Sequence, residues 1–332
     1  MDRTLGRSNV PVTRVGFGGA PLGNLFRAVD DATAAGAVDA AWSAGVRLFD
    51  TAPHYGLGLS ERRLGRALAD RPREGFTLST KVGRVLEPVP GPTGERDDQG
   101  FDVPATHTRR WDFSADGVRR SLEGSLERLG LDRVDVVLIH DPDDHGRQAL
   151  DEAYPALHEL RAQGVVGAIG AGMNQAAMLE RFVTETDVDA VLLAGRHTLL
   201  EQSADALLAA CLDRGVSVLA GGVFNSGLLA HDHPPEDATY DYRRASAGAR
   251  ERALGIAAIA RRHGVSLPRA AIAFTAAHPA VASVVLGMRS AEQVRRNAEL
   301  AARPVPAALW SELAEEGLLD PGAVPPQSES TL

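Results

Sequence analysis

Cysteine is almost absent from this 332-residue chain, Cys211 being its single example. One thiol excludes an intramolecular disulfide and leaves no cysteine cluster for a metal, a pattern suited to a reducing cytoplasm, where we expect the protein to reside. The neighbours of Cys211, from Ala206 to Asp213, are alanine-rich, so it is read as a packed helix position. Long hydrophobic runs are missing as well. No stretch approaches the roughly 18 uninterrupted apolar residues of a membrane span, and the N-terminus lacks the apolar segment of a secretory signal. Basic charge is in deficit: the formal net charge is −9, which removes the electrostatic case for a nucleic-acid partner. The pairs Arg62-Arg63, Arg119-Arg120, Arg261-Arg262 and Arg295-Arg296 fall in helical patterns and read as solvated faces. What remains is a small-molecule partner and a monomer or small homo-oligomer. The dinucleotide fingerprint Gly-x-Gly-x-x-Gly is also wanting, since Gly16-Phe17-Gly18-Gly19 has the wrong spacing for it.

What the chain does have is a repeating alternation. Eight apolar runs of strand length occur at Arg14–Gly18, Val46–Phe49, Phe76–Thr80, Val134–Ile139, Val165–Ile169, Ala190–Leu193, Val216–Leu219 and Ala282–Leu286. Between them lie helical spacings at Ala32–Ser43, Glu61–Ala69, Asp116–Leu129, Tyr154–Ala162, Ala176–Val183 and Ser203–Leu212. Continuous rather than alternating apolar runs suit a parallel sheet covered on both faces. Eight such units favour a closed (β/α)8 barrel over an open doubly wound sheet. Gly45, Gly164 and Gly215 each stand where a left-handed residue ends a helix before a strand, and Ser290 with Gln293 has the spacing of a capping box. We expect one domain over 1–332, with a proline-rich tail from about residue 303 that is either disordered or folded over the barrel mouth. Two long insertions, Glu87–His107 and Gly222–Asp241, follow strands and are candidate lid or recognition loops.

The chemistry lies at strand ends. Asp50 and Tyr55 close the second apolar run within Phe49-Asp50-Thr51-Ala52-Pro53-His54-Tyr55-Gly56, Lys81 ends the third and His140 the fourth. In a barrel these positions share one mouth. Asp50 would keep Lys81 protonated, Lys81 would lower the pKa of the Tyr55 phenol, and His140 would donate a hydrogen bond to a substrate oxygen that becomes alkoxide-like as hydride arrives. A metal-dependent hydrolase built on Asp50, His140 and Asp141 is disfavoured by the lysine, which repels a cation. No metal is expected.

These residues, with Leu59-Ser60-Glu61-Arg62-Arg63-Leu64-Gly65 and the run from Ser125 to Asp135, make the chain resemble the aldo-keto reductase superfamily over about Val10 to Ala301. The resemblance implies a (β/α)8 barrel, a nicotinamide dinucleotide bound across its mouth, hydride transfer to or from a carbonyl or alcohol carbon, and the tetrad Asp50, Tyr55, Lys81 and His140. The segments Gly170–Asn174 and Ala220–Gly227 depart from the common pattern. Asn174 then serves the nicotinamide amide alone or in shifted register, and Gly221, Phe224 and Ser226 stand in for the usual stacking segment. Gly287, Met288, Arg289, Gln293 and Asn297 occupy the region resembling the adenosine-phosphate site, where NADPH-preferring members often carry Lys, Ser and Arg. NAD is therefore expected over NADP, with Arg289 able to restore a phosphate contact. Together with Leu193–Gln202 and Trp111–Ser114, these variants resemble the branch that holds L-fucose, D-threo-aldose and L-galactose dehydrogenases and pyridoxal 4-dehydrogenase. Oxidation of an aldose hemiacetal or pyridoxal to a lactone is the implied activity, with His54, Trp111, Phe113 and Asp141 as substrate residues. An NADPH-dependent carbonyl reductase and a non-catalytic nicotinamide-binding sensor stay open as alternatives.

Overall fold

The computed structural model describes residues 3–91 and 94–325. Pro92 of the first long loop and Pro326 of the tail lie outside the described residues. The eight apolar runs form eight strands: β1 (Val15–Gly18), β2 (Leu48–Asp50), β3 (Thr77–Val82), β4 (Val136–His140), β5 (Ala168–Met173), β6 (Ala190–Ala194), β7 (Ser217–Gly221) and β8 (Val281–Gly287). Each pairs in parallel with the next, and β8 pairs with β1, so the sheet closes into the expected barrel. The register places Asp50 beside Gly18 and Ser79, Lys81 beside Leu138, and His140 beside Gly172, which brings the polar strand ends to one rim.

The outer layer is helical: α1 (Asp31–Ser43), α2 (Leu59–Leu68), α3 (Ala115–Leu129), α4 (Tyr154–Ala162), α5 (Ala176–Glu185), α6 (Asp205–Arg214), α7 (Ala247–Arg262), α8 (Leu267–Ala277), α9 (Ala291–Ala301) and α10 (Ala307–Glu315). Gly45, Gly164 and Gly215 do adopt positive φ, at 84°, 73° and 65°. Ser290 caps α9 by accepting from the Gln293 N–H, while Gln293 Oε1 accepts from the N–H of Arg289. Gly65 lets α2 approach α3 closely, since a Cβ there would stand 1.9 Å from the Leu129 carbonyl oxygen. Cys211 is fully buried in α6, and burial pushes its thiol up to about 12, as befits a packing residue.

The tail takes a third course besides the two expected. Its helix α10 packs on α7, Trp310 lies 6.1 Å from Phe274 of α8, and Glu312 pairs with Arg262 and His263, so the described part of the tail braces the outer layer. At the opposite end from the active rim, a hairpin of Arg3–Thr4 with Pro11–Val12 plugs the barrel floor. Leu5 and Val12 are fully buried there, against Leu48, Val136, Leu138 and Leu219 of the barrel interior. At the active rim the two insertions fold as hairpins, Arg84–Pro88 with His107–Trp111 and Thr239–Tyr240 with Arg243–Arg244.

Candidate active site

Lys81 and Asp50 are 1% and 2% exposed, deep enough that neither charge survives without the other. The lysine Nζ donates to both Asp50 oxygens at 2.9 and 2.7 Å, to the Thr51 carbonyl at 2.9 Å and to the Tyr55 hydroxyl at 3.2 Å. Burial alone would strip the ammonium of its proton, but Asp50 and Tyr55 outweigh it, and the Lys81 pKa lies above its ordinary value. Two effects oppose each other at Tyr55. Lys81 does pull the phenol down, yet burial is the larger effect and pushes it up to about 12, so the phenol is protonated at neutral pH.

His140 stands across from this chain, its ring 5.9 Å from that of Tyr55. Burial, followed by the charges of Arg84 and Lys81, holds its pKa well below the usual value, so the ring is neutral. Its Nδ1 has no partner among the described residues, while Nε2 lies 3.5 Å from Asp141 Oδ2, which favours the proton on Nε2. Asp141 in turn pairs with Arg84, whose guanidinium stacks 4.3 Å from the Trp111 ring centre. His54 is also neutral: burial and then Arg84 lower it to about 2.

Above the tetrad lies a cavity of about 460 Å³ that includes Tyr55, Lys81, His140, His54, Asp141 and Asn174 in its lining. Its roof is aromatic. Phe101, at the tip of the first hairpin loop, meets His54 edge-on at 5.1 Å, and Arg109 of the same hairpin donates to the His54 carbonyl while pairing with buried Asp97. Phe26, after β1, and Tyr242, in the second hairpin, face each other across the opening at 6.3 Å, both with positive φ. A second, polar groove shares Asp141, Asn174 and Tyr242 with the cavity and continues outward past Trp111, Arg196 and Arg243.

The structure thus gathers Tyr55, Lys81, His140, His54, Asp141 and Asn174 around one space, with Asp50 beneath it on Lys81. Trp111 lines the outer groove, whereas Phe113 is fully buried beneath it, stacked at 5.9 Å. Phe224 packs on the core, and Ser226 accepts from the Tyr242 N–H at 3.0 Å. Gly221 accepts from the Gly195 N–H at 3.0 Å. Met288 and Asn297 are buried, Gly287 is exposed, and Arg289 reaches the Leu25 carbonyl at 3.4 Å. Sequence reasoning did not single out Arg84, Arg109, Phe26, Phe101 or Tyr242, and it named Asn225 only as part of the second insertion. Asn225 is 3% exposed with both amide atoms unpartnered among the described residues, and it sits in a loop where Gly222, Asn225, Ser226 and Gly227 all take positive φ. A Cβ at Gly195 would stand 4.0 Å from its Nδ2, and a buried amide without a partner there is available to a polar ligand group. Among the described residues no cluster of three or more His, Cys, Asp or Glu could hold a metal ion, and no helix is long and apolar enough to cross a membrane.

Comparison with known proteins agrees with this geometry. The chain is 48% identical to a D-threo-aldose 1-dehydrogenase of Pseudomonas sp over 94% of its length and 96% of the relative's. It is 36% identical to the pyridoxal 4-dehydrogenase of Microbacterium luteolum, covering 96% and 97% of the two chains, and 31% identical to the L-galactose dehydrogenase of Arabidopsis thaliana, covering 89% and 86%. Among solved structures it superposes on the holo form of the aldo-keto reductase AKR11C1 from Bacillus halodurans with a TM-score of 0.74 at 26% identity, over 96% of each chain. The model of the Aldo/keto reductase family matches residues 14–316. With a closed parallel barrel, a proton-sharing cluster at its active rim and relatives of this kind along its whole length, the chain belongs to the aldo/keto reductase family and is a nicotinamide-dependent oxidoreductase.

Proposed function

We propose that the enzyme oxidises the hemiacetal carbon of an aldose, of the L-fucose, D-threo-aldose or L-galactose type, or of pyridoxal, and releases the lactone. The observation that carries this reading is the hydrogen-bonded chain Asp50, Lys81, Tyr55 beneath a cavity whose far side offers a neutral imidazole and a carboxylate. Bound nicotinamide supplies the hydride acceptor. In oxidation the base is the ionised fraction of Tyr55, whose phenolate the Lys81 ammonium stabilises by donating to the same oxygen, and it takes the hemiacetal hydroxyl proton to become the phenol again. Asp50 keeps Lys81 charged and aimed. His140 donates from Nε2 to the reacting oxygen, and its neutrality keeps it from delivering a proton that the oxidative direction must remove. In reduction the protonated phenol acts as the acid. Asn174, Asn225, Gly221, Phe224 and Ser226 are the residues we assign to the nicotinamide side, and Gly287, Met288, Arg289, Gln293 and Asn297 to the adenosine side.

NAD is the favoured cofactor in this reading. Gly287 has no side chain and Met288 is buried, so of these three only the Gln293 amide NH2 is left to donate to a 2′-phosphate. One observation supports NADP instead: Arg289 is lowered by burial and then by Arg27, and a phosphate would relieve that repulsion. Initial rates with the two oxidised cofactors decide it, and a strong preference for NADP overturns the NAD assignment. For the substrate, L-fucose, D-arabinose, L-galactose, pyridoxal and simple aldehydes are screened by the near-ultraviolet absorbance of reduced nicotinamide. We expect sugar or pyridoxal oxidation. Activity confined to aldehyde reduction would return the enzyme to the general carbonyl reductases.

A further inference from the structure

We infer that Asp141, held in place by Arg84, is the acceptor for a hydroxyl on the carbon next to the reacting one, so that the site selects α-hydroxy substrates. The inference rests on the reading of the Tyr55 and His140 site and extends it to a substrate feature. Asp141 follows His140 directly at the end of β4, and its φ of 44° is a left-handed conformation that an aspartate adopts at a cost. That turn brings the carboxylate back to the mouth, where it borders both the inner cavity and the outer groove. Oδ2 takes the Arg84 guanidinium and stands 3.5 Å from His140 Nε2. Oδ1 has no protein donor among the described residues, although an ionised carboxylate can accept about four hydrogen bonds.

An ion pair with its guanidinium buried and its carboxylate half-buried is a poor stabiliser, because the desolvation of the arginine offsets much of the attraction. Arg84 is only 8% exposed, and its Nε has no partner among the described residues. Between the Trp111 face and Asp141 it is fixed in direction rather than free to follow solvent. The pair makes better sense as a fixed acceptor. His140 Nε2 marks where the reacting oxygen sits, so a carboxylate within 3.5 Å of that nitrogen is in reach of the oxygen on the adjoining carbon. An aldose carries such a hydroxyl at C2. Pyridoxal has no hydroxyl on the carbon bonded to its aldehyde carbon, and simple aldehydes have none, so the arrangement favours the aldose within the two substrate classes proposed above.

The test compares paired substrates that differ in this one group: an aldose with its 2-deoxy analogue in oxidation, and lactaldehyde with propanal in reduction. For the wild-type enzyme we expect kcat/KM to favour the hydroxylated member by about a hundredfold. In Asp141→Ala the ratio should fall to within about threefold, the hydroxylated substrate losing far more than the deoxy one. Arg84→Gln, which frees the carboxylate while leaving it in place, should give an intermediate ratio, a change that a purely structural role for Arg84 would not produce. Cofactor titration of each variant by intrinsic fluorescence reports that the barrel is folded. A wild-type enzyme indifferent to the hydroxyl, or an Asp141→Ala variant that loses both members equally, overturns the inference. Lactaldehyde preferred over propanal in an enzyme that oxidises no sugar would sink the sugar reading while leaving this inference standing.

Discussion

Replacing Lys81 with methionine removes the ammonium that donates to the phenol while nearly keeping the volume of the side chain. Across the 3.2 Å between Nζ and the Tyr55 oxygen, a unit-charge attraction at an effective dielectric of about 20 amounts to about 5 kcal/mol, or about four decades in the phenolate equilibrium. Water entering the space left by the ammonium returns part of this, and proton transfer is incomplete in the transition state. We therefore expect Lys81→Met to lower kcat for oxidation about a thousandfold. Asp50, 2% exposed, loses its counter-ion in the same variant and must either bear a cost of about 3–5 kcal/mol or take up a proton. The double variant with Asp50→Asn should therefore melt at a higher temperature than Lys81→Met alone, yet turn over no more slowly, because the two residues act as a unit. Steady-state rates, cofactor titration and thermal melts together give the outcome. A loss below about tenfold in kcat, or cofactor affinity falling in step with turnover, would refute the proton-relay reasoning.

Tyr55→Phe should reduce turnover by orders of magnitude with the cofactor dissociation constant nearly unchanged, measured by the same titration. With the phenol pushed up to about 12, wild-type oxidation should rise about tenfold per pH unit from about pH 7 to about pH 9, while reduction stays flat; an oxidation plateau by about pH 8 would show a phenol that ionises far more easily. His54, His140 and His197 are held neutral in the fold, burial being the main cause, with His54 near about 2 and His197 near about 4. Below their unfolded pKa of about 6.5 the unfolded chain binds more protons than the native one, so stability is lost as pH falls, by about 1.4 kcal/mol per histidine per unit. Denaturant melts at about pH 7 and about pH 5.5 check this, and equal midpoints would contradict it. Arg109→Met strands the buried Asp97 carboxylate and frees the His54 carbonyl, so KM for substrate should rise about tenfold with kcat within about threefold; a matching fall in kcat would place Arg109 in the chemistry.

The barrel was legible because its strands are buried on both faces, and the resulting apolar runs stand out from the helical spacing around them. The tetrad was legible for a related reason: each member closes such a run, or follows it within one turn, and the barrel's geometry does the rest. Helix α7 was marked only by its Arg261-Arg262 pair although Ser246 caps it, and α8 escaped notice although Pro268 opens it. The many arginines and alanines of α7 blur its apolar stripe, and α8 is buried along most of its length. The residues of the roof could not be read, since Phe26, Phe101 and Tyr242 come from three separate loops and meet only when the loops have folded. Arg84 had a local signal, three positions after Lys81 at a strand end, but nothing in the sequence points it at Asp141. At Tyr55 the neighbour that lowers the pKa is visible in sequence, whereas the burial that raises it more is a property of the packed cavity.

The plug formed by Leu5 and Val12 makes the barrel a vessel with one opening. Water cannot reach the buried ammonium and carboxylate from below, because leucine and valine side chains fill the lumen from the floor upward. Every proton taken from substrate must therefore leave by the way the substrate came, past Tyr55 and out under the aromatic roof. Proton release and substrate entry then share a single doorway, since in the oxidative direction the resting phenol must lose its proton through it before it can act as base. Such an enzyme would acidify the medium before or with hydride transfer and not after it, at a pace set by the opening of its loops.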